Sequence, residues 1–119
     1  MSDNYTEMKK LDLGDTKRYA WKCKLLPGRL EEWKYRHDYM WPEMTKALKD
    51  AGIRNYTIWT DGEELFGYYE CDDVAFTTKS QAESPVVDTW NQHVKDVITM
   101  EMDPENGAQP RLYQVFKMD

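Results

Sequence analysis

The sequence predicts an α+β fold, a four-stranded antiparallel sheet carrying helices on one face. Three observations predict it. Apolar and polar residues alternate near the start of the chain, two later stretches repeat their apolar residues every three to four positions, and an Asp-Gly pair joins two short runs rich in strand formers. At 119 residues, 40% of them apolar, the chain has material for one core and none for a second.

From Arg18 to Leu26, Tyr19, Trp21, Cys23 and Leu25 alternate with Arg18, Ala20, Lys22 and Lys24, the period of a half-buried strand, and Pro27-Gly28 ends it. Leu30, Trp33, His37 and Met40 with Trp41 then share one helix face, while Glu31, Glu32, Lys34 and Arg36 form the polar one. Pro42 forces a kink or stop and starts a second piece, with Met44, Ala47, Leu48 and Ala51 inward and Gly52 as its left-handed cap. Strands Ile53 to Thr60 and Glu64 to Glu70 follow, joined by Asp61-Gly62.

Val74 to Ala82 is ambiguous between helix and coil. Ser84-Pro85 reads as an N-cap and first-turn proline, opening a helix whose face is Val86, Trp90, Val94, Val97 and Glu101, with Val87 and Ile98 beside it. Asp103 to Pro110 is a loop by its Pro, Asn and Gly, and Leu112 to Lys117 is a closing strand. Strand, helix, strand, strand, helix, strand is the split β-α-β order of the ferredoxin-like fold. The sheet face away from the helices is also rich in Tyr, Trp and Ile. A homodimer packing sheet on sheet, a dimeric α+β barrel, would cover it.

Composition excludes several functions. Sixteen Lys and Arg against 22 Asp and Glu leave a net charge of −6, the wrong sign for a chain that binds nucleic acid by neutralising phosphates. No window is apolar enough to span a membrane. Residues 1–17 lack a signal peptide's apolar core and read as a flexible polar extension of a single domain over residues 18–118, which makes a cytoplasmic protein the default. Cys23 and Cys71 form no metal-ligand spacing and are expected to be reduced, buried thiols. GxGxxG, GxxxxGK[ST] and GxSxG are all missing and no His pair has ligand spacing, so nucleotide, pyridoxal-type and zinc chemistry have no foothold, and no metal or cofactor is expected. Carboxylate pairs such as Glu31-Glu32 and Glu63-Glu64 fall on solvent faces.

Of the two histidines, His37 stands out because it lies on the apolar helix face between Trp33 and Trp41. Two roles fit it, a core histidine satisfied by one hydrogen bond or a general acid or base titrating near neutrality. His93 lies nearer the edge of its helix face and suits a structural role. Trp33, Tyr56 and Trp90 fit an ordinary core, and equally the walls of a carbohydrate pocket in which rings meet sugar C–H faces and polar tips, with the Asn91 amide, meet hydroxyls.

Trp33-Lys34-Tyr35-Arg36-His37, then Trp41-Pro42-Glu43, Leu48-Lys49, Gly52 and Asn55-Tyr56, closely resemble the L-rhamnose mutarotase family. The resemblance continues through the hairpin, Trp90, Lys95-Asp96-Val97 and Leu112 to Phe116, and so covers about Lys17 to Met118. It implies a dimeric ferredoxin-like protein that interconverts the α and β anomers of L-rhamnose without a cofactor. His37 would be the catalytic histidine, Tyr56 a sugar-binding tyrosine and Trp90 the first of a tryptophan pair in the substrate pocket. Two positions depart from the family pattern. Trp33 stands where a binding tyrosine is expected, and Asn91 replaces the second tryptophan, which puts the preferred sugar in question. A non-catalytic sugar-binding or sensing module is the alternative on the same fold, and a cofactor-free oxygenase a more distant one.

Overall fold

The computed structural model describes residues 16–99 and 111–118. Strand β1 (Arg18–Leu25) buries Tyr19, Trp21, Cys23 and Leu25 on one face, as its alternation requires. The next turn has the signature of type II: Pro27 in second place, Gly28 at φ 75° in third, and Arg29 N–H donating to the Leu26 carbonyl at 3.1 Å. Helices α1 (Leu30–Asp38) and α2 (Pro42–Asp50) are separated at Trp41, whose φ −57° and ψ 136° are the extended geometry that a following proline imposes. Gly52, at φ 87°, closes α2 as expected.

Strands β2 (Arg54–Asp61) and β3 (Glu64–Glu70) form the expected hairpin with its turn shifted by one residue. Asp61 pairs with Glu64, so the loop is Gly62-Glu63, and Gly62 at φ 63° occupies the first loop position, where a II′ turn places glycine. Within β2 the register shifts between Arg54 and Thr57, leaving Asn55 and Tyr56 both opposite Tyr69. Asn55 absorbs this bulge at φ 51°, a left-handed conformation that asparagine tolerates better than most residues. The extra residue lets Arg54 stay level with Glu70 on the outer face while Tyr56 joins Ile58 on the inner one.

The ambiguous stretch is helix α3 (Val74–Ala82), capped by the Asp73 side chain, which accepts from the Ala75 N–H at 3.1 Å. Helix α4 (Pro85–His93) has its expected cap, Ser84 Oγ accepting from the Val87 N–H at 3.3 Å. Ser84→Ala is expected to cost about 1 kcal/mol, read as a lower urea midpoint at unchanged slope. An unmoved midpoint would show that the cap contributes nothing.

Two expectations are corrected here. The helix from Pro85 stops at His93 and does not run on through Val94, Val97 and Ile98. Val94 to Val97 form a turn in which the Val97 carbonyl accepts from the Leu26 N–H at 2.9 Å, and Ile98–Thr99 become strand β4, pairing with Lys24 and Leu25. The β-branched residues Val94, Val97, Ile98 and Thr99 favour this exit to the sheet over another helical turn. The closing strand, expected over Leu112 to Lys117, is only Arg111–Leu112 (β5). It sets Leu112 opposite Ala20, so past Gln114 the register runs off the start of β1 at Arg18 and no partner strand remains. Glu101, the loop Asp103 to Pro110, and residues 1–15 of the expected extension lie outside the described residues; the Thr16 and Lys17 carbonyls already accept from the Val74 and Cys71 N–H groups at 2.7 and 2.9 Å.

The sheet is antiparallel, in the order β2-β3-β1-β4 with β5 also on β1. Because β3 fills one edge of β1, β4 and β5 share the other, so two short strands occupy the place where one fourth strand was expected. Inner residues Tyr19, Trp21, Leu65 and Tyr69 form a single core with Trp33, Met44, Val87 and Trp90 of the helices. Both cysteines are buried and free, and burial pushes the Cys23 thiol up to about 12.

Candidate active site

Between the inner sheet face and helices α1 and α4 lies a cavity of about 550 Å3. Trp33, His37, Tyr56, Trp90 and Asn91, the residues singled out in the sequence, all line it. Helix periodicity brings Trp33 and His37 inward together, the alternation of β2 turns Tyr56 to meet them across the space, and α4 presents Trp90 with Asn91 at the exposed margin.

The imidazole of His37 is held from three sides. Its Nδ1 lies 2.9 Å from the Trp33 carbonyl, its ring rests on the Trp33 indole at a centroid distance of 3.9 Å, and Trp90 meets it edge-on at 5.2 Å. A carbonyl only accepts, so Nδ1 carries the proton, and the neutral ring keeps Nε2 as an open lone pair with no hydrogen-bond partner among the described residues. Burial depresses the His37 pKa below its ordinary 6.5, with the Trp33 carbonyl and the Asp38 carboxylate opposing more weakly. His37 is therefore a neutral base at pH 7. His93 is exposed, its ring 5.1 Å from Trp41 and 5.6 Å from Trp90, a structural place.

Tyr56 keeps part of its ring open to the cavity while its hydroxyl sits deep, accepting from Trp21 Nε1 at 3.0 Å. Burial raises its pKa well above 10, the Trp21 hydrogen bond opposing, so the phenol stays protonated. Tyr69, also in the wall, is raised for the same reason, and its hydroxyl accepts from Gln81 Nε2 at 3.3 Å.

Sequence reasoning missed four contributors. Trp21 reaches Tyr56 only because Gly67 lies opposite it in the β1–β3 register, where a Cβ would overlap the indole. An isolated glycine inside a strand pattern signals such a close approach. Arg36, placed by periodicity on the solvated face, is largely covered: its guanidinium holds Asp96 through two bonds of 2.7 and 3.0 Å, Glu32 at 2.7 Å and the His93 carbonyl at 2.9 Å. That grip keeps the Asp96 carboxyl down at about 2 and fastens α1 to the turn after α4. Among the described residues no group of three or more His, Cys, Asp or Glu is placed to hold a metal ion, and no helix is long and apolar enough to cross a membrane.

Fold and site define a small α+β protein with an aromatic-walled cavity, a neutral imidazole on one wall and protonated phenols on another. The sequence model of the L-rhamnose mutarotase family matches residues 18–118, and the chain belongs to that family. It is 36% identical over 104 residues to the L-rhamnose mutarotase of Rhizobium meliloti, spanning 85% of this chain and 97% of that protein. With the L-rhamnose mutarotase of Listeria monocytogenes it shares 40% over 85 residues, 70% of this chain and 79% of the relative. The crystal structure of an L-rhamnose mutarotase from Formosa agariphila superimposes with a TM-score of 0.69 at 30% identity, covering 86% of this chain and 98% of that one.

Proposed function

We propose that this chain interconverts the α and β anomers of L-rhamnose, or a closely related 6-deoxy sugar, as an isomerase of the aldose 1-epimerase type that needs no cofactor. The observation that carries the reading is the open Nε2 of His37 in the wall of a cavity that Tyr56 also lines. In the ring-opening step Nε2 takes the proton of the anomeric hydroxyl, the C1–O5 electrons move to O5, and C1 becomes the aldehyde. O5 receives a proton from the imidazolium while Tyr56, staying neutral, donates a hydrogen bond to the developing charge. Rotation about C1–C2 and the reverse transfers close the other anomer. Trp33 and Trp90 supply ring faces, Asn91 a hydroxyl partner, and Leu65 and Val87 an apolar wall for the C6 methyl.

The sheet order supports the ferredoxin-like reading. A sheet-on-sheet homodimer is favoured by the outer face, where Trp59 is exposed beside Phe66 and Tyr68. Free, buried cysteines suit a cytoplasmic setting.

Saturation-transfer NMR between the anomeric protons of L-rhamnose, with L-fucose and L-mannose for comparison, tests the activity. Acceleration by the purified protein is expected. None with any sugar would leave only a binding module. The pH profile follows from the two shifts: since the working His37 is neutral, kcat/KM should fall on the acid side with an apparent pKa below 6.5, and with Tyr56 raised above 10 no alkaline limb should appear before pH 10. An acid limb centred above 7 would contradict the assignment of His37.

A further inference from the structure

We propose that Trp21 is a positioning residue for the reaction: laid across Gly67, its indole N–H occupies the Tyr56 hydroxyl oxygen and thereby turns the phenol proton into the cavity, toward a sugar oxygen. The inference deepens the ring-opening reading above and rests on it.

The argument is one of donors and acceptors. A phenol can send its proton toward any acceptor within reach and accept at its oxygen, so a tyrosine in a cavity wall has no fixed polarity of its own. An indole N–H only donates. With Trp21 Nε1 at 3.0 Å, the Tyr56 oxygen accepts on that side, and its proton cannot point at Trp21. No other described residue accepts from the Tyr56 hydroxyl, which leaves the cavity as its direction. The bond also polarises the phenol, strengthening the hydrogen bond it donates.

Two features show that this contact is built into the fold. Trp21 and Gly67 face each other in the strand register, and the indole fills the space that any side chain at position 67 would take. Tyr56 arrives from the other side through the β2–β3 register, which continues from Ile58 opposite Gly67 and Thr57 opposite Tyr68 to set Tyr56 against Tyr69 on the inner face. A phenylalanine at position 21 would fill much of the same volume and remove the donor, so an indole here is a polar choice in an otherwise apolar layer.

The test is a double-mutant cycle in the full chain, with Trp21→Phe, Tyr56→Phe and both together, followed by anomer-exchange NMR on L-rhamnose. Trp21→Phe is expected to lower kcat about 10-fold with KM changed less than about 2-fold, and to have no further effect once Tyr56 is Phe. Equal losses in both backgrounds would mean Trp21 only packs, and would overturn the inference while leaving the activity standing. A native chain with no acceleration would instead remove the ring-opening reading and the inference with it.

A second measurement does not depend on how Trp21→Phe folds. In a 1H–15N spectrum of the native protein, the indole N–H resonance of Trp21 is assigned through the backbone of its own residue. It should shift downfield when L-rhamnose binds, because Tyr56 accepts more strongly while it donates to the sugar. An unmoved resonance under saturating sugar would overturn the proposal.

Discussion

His37→Ala is expected to slow L-rhamnose anomer exchange by about 10²- to 10⁴-fold, the range that a positioned general base contributes, while sugar binding falls no more than a few-fold. The expectation turns on one nitrogen: with Nδ1 committed to the Trp33 carbonyl, only Nε2 is open to a proton. Truncation removes that nitrogen and leaves the Trp33 and Trp90 rings, Tyr56 and Asn91 in the wall. Binding by titration NMR and rate by exchange NMR on the same sample separate the two quantities. If affinity and rate fall by the same factor, His37 is a binding contact and the base lies elsewhere.

Gly67→Ala is expected to destabilise the fold by about 3 kcal/mol, near the upper end for overpacking, because the added Cβ would sit within the Trp21 indole and two paired strands leave little room to move. Chemical denaturation should show it as a lower midpoint, and the indole N–H resonance of Trp21 should lose its hydrogen-bonded position. Adding Trp21→Phe should recover part of the stability, since the smaller ring leaves space for a methyl. A fully stable Gly67→Ala protein would mean that Trp21 does not lie across Gly67.

The alternation of Tyr19, Trp21, Cys23 and Leu25, the break at Trp41-Pro42 and the cap at Ser84 could be read because each is a local preference that the fold does not oppose. For the same reason periodicity brought Trp33, His37 and Trp90 to one cavity, and the strand pattern brought Tyr56. What escaped was decided by partners distant in the chain. The exit of Val94 to Thr99 into the sheet depends on Leu26 and β1, and the shortness of β5 depends on where β1 begins. Arg36 looked like one more solvated charge, because nothing local reveals that Asp96, sixty residues on, will meet it. The roles of Trp21 and Gly67 required a register, which a single strand does not carry.

Arg36 and His37 are neighbours on α1, one gripping Asp96 outside the cavity and the other facing in. The two jaws of the site, α1 with His37 and α4 with Trp90, are therefore clamped by an ion pair whose carboxylate stands in solvent. L-rhamnose carries no charge, so dissolved ions have nothing to screen between sugar and protein. They can still loosen the clamp. What salt does to the chemistry of a neutral sugar, it does through contacts such as this one, inside the protein.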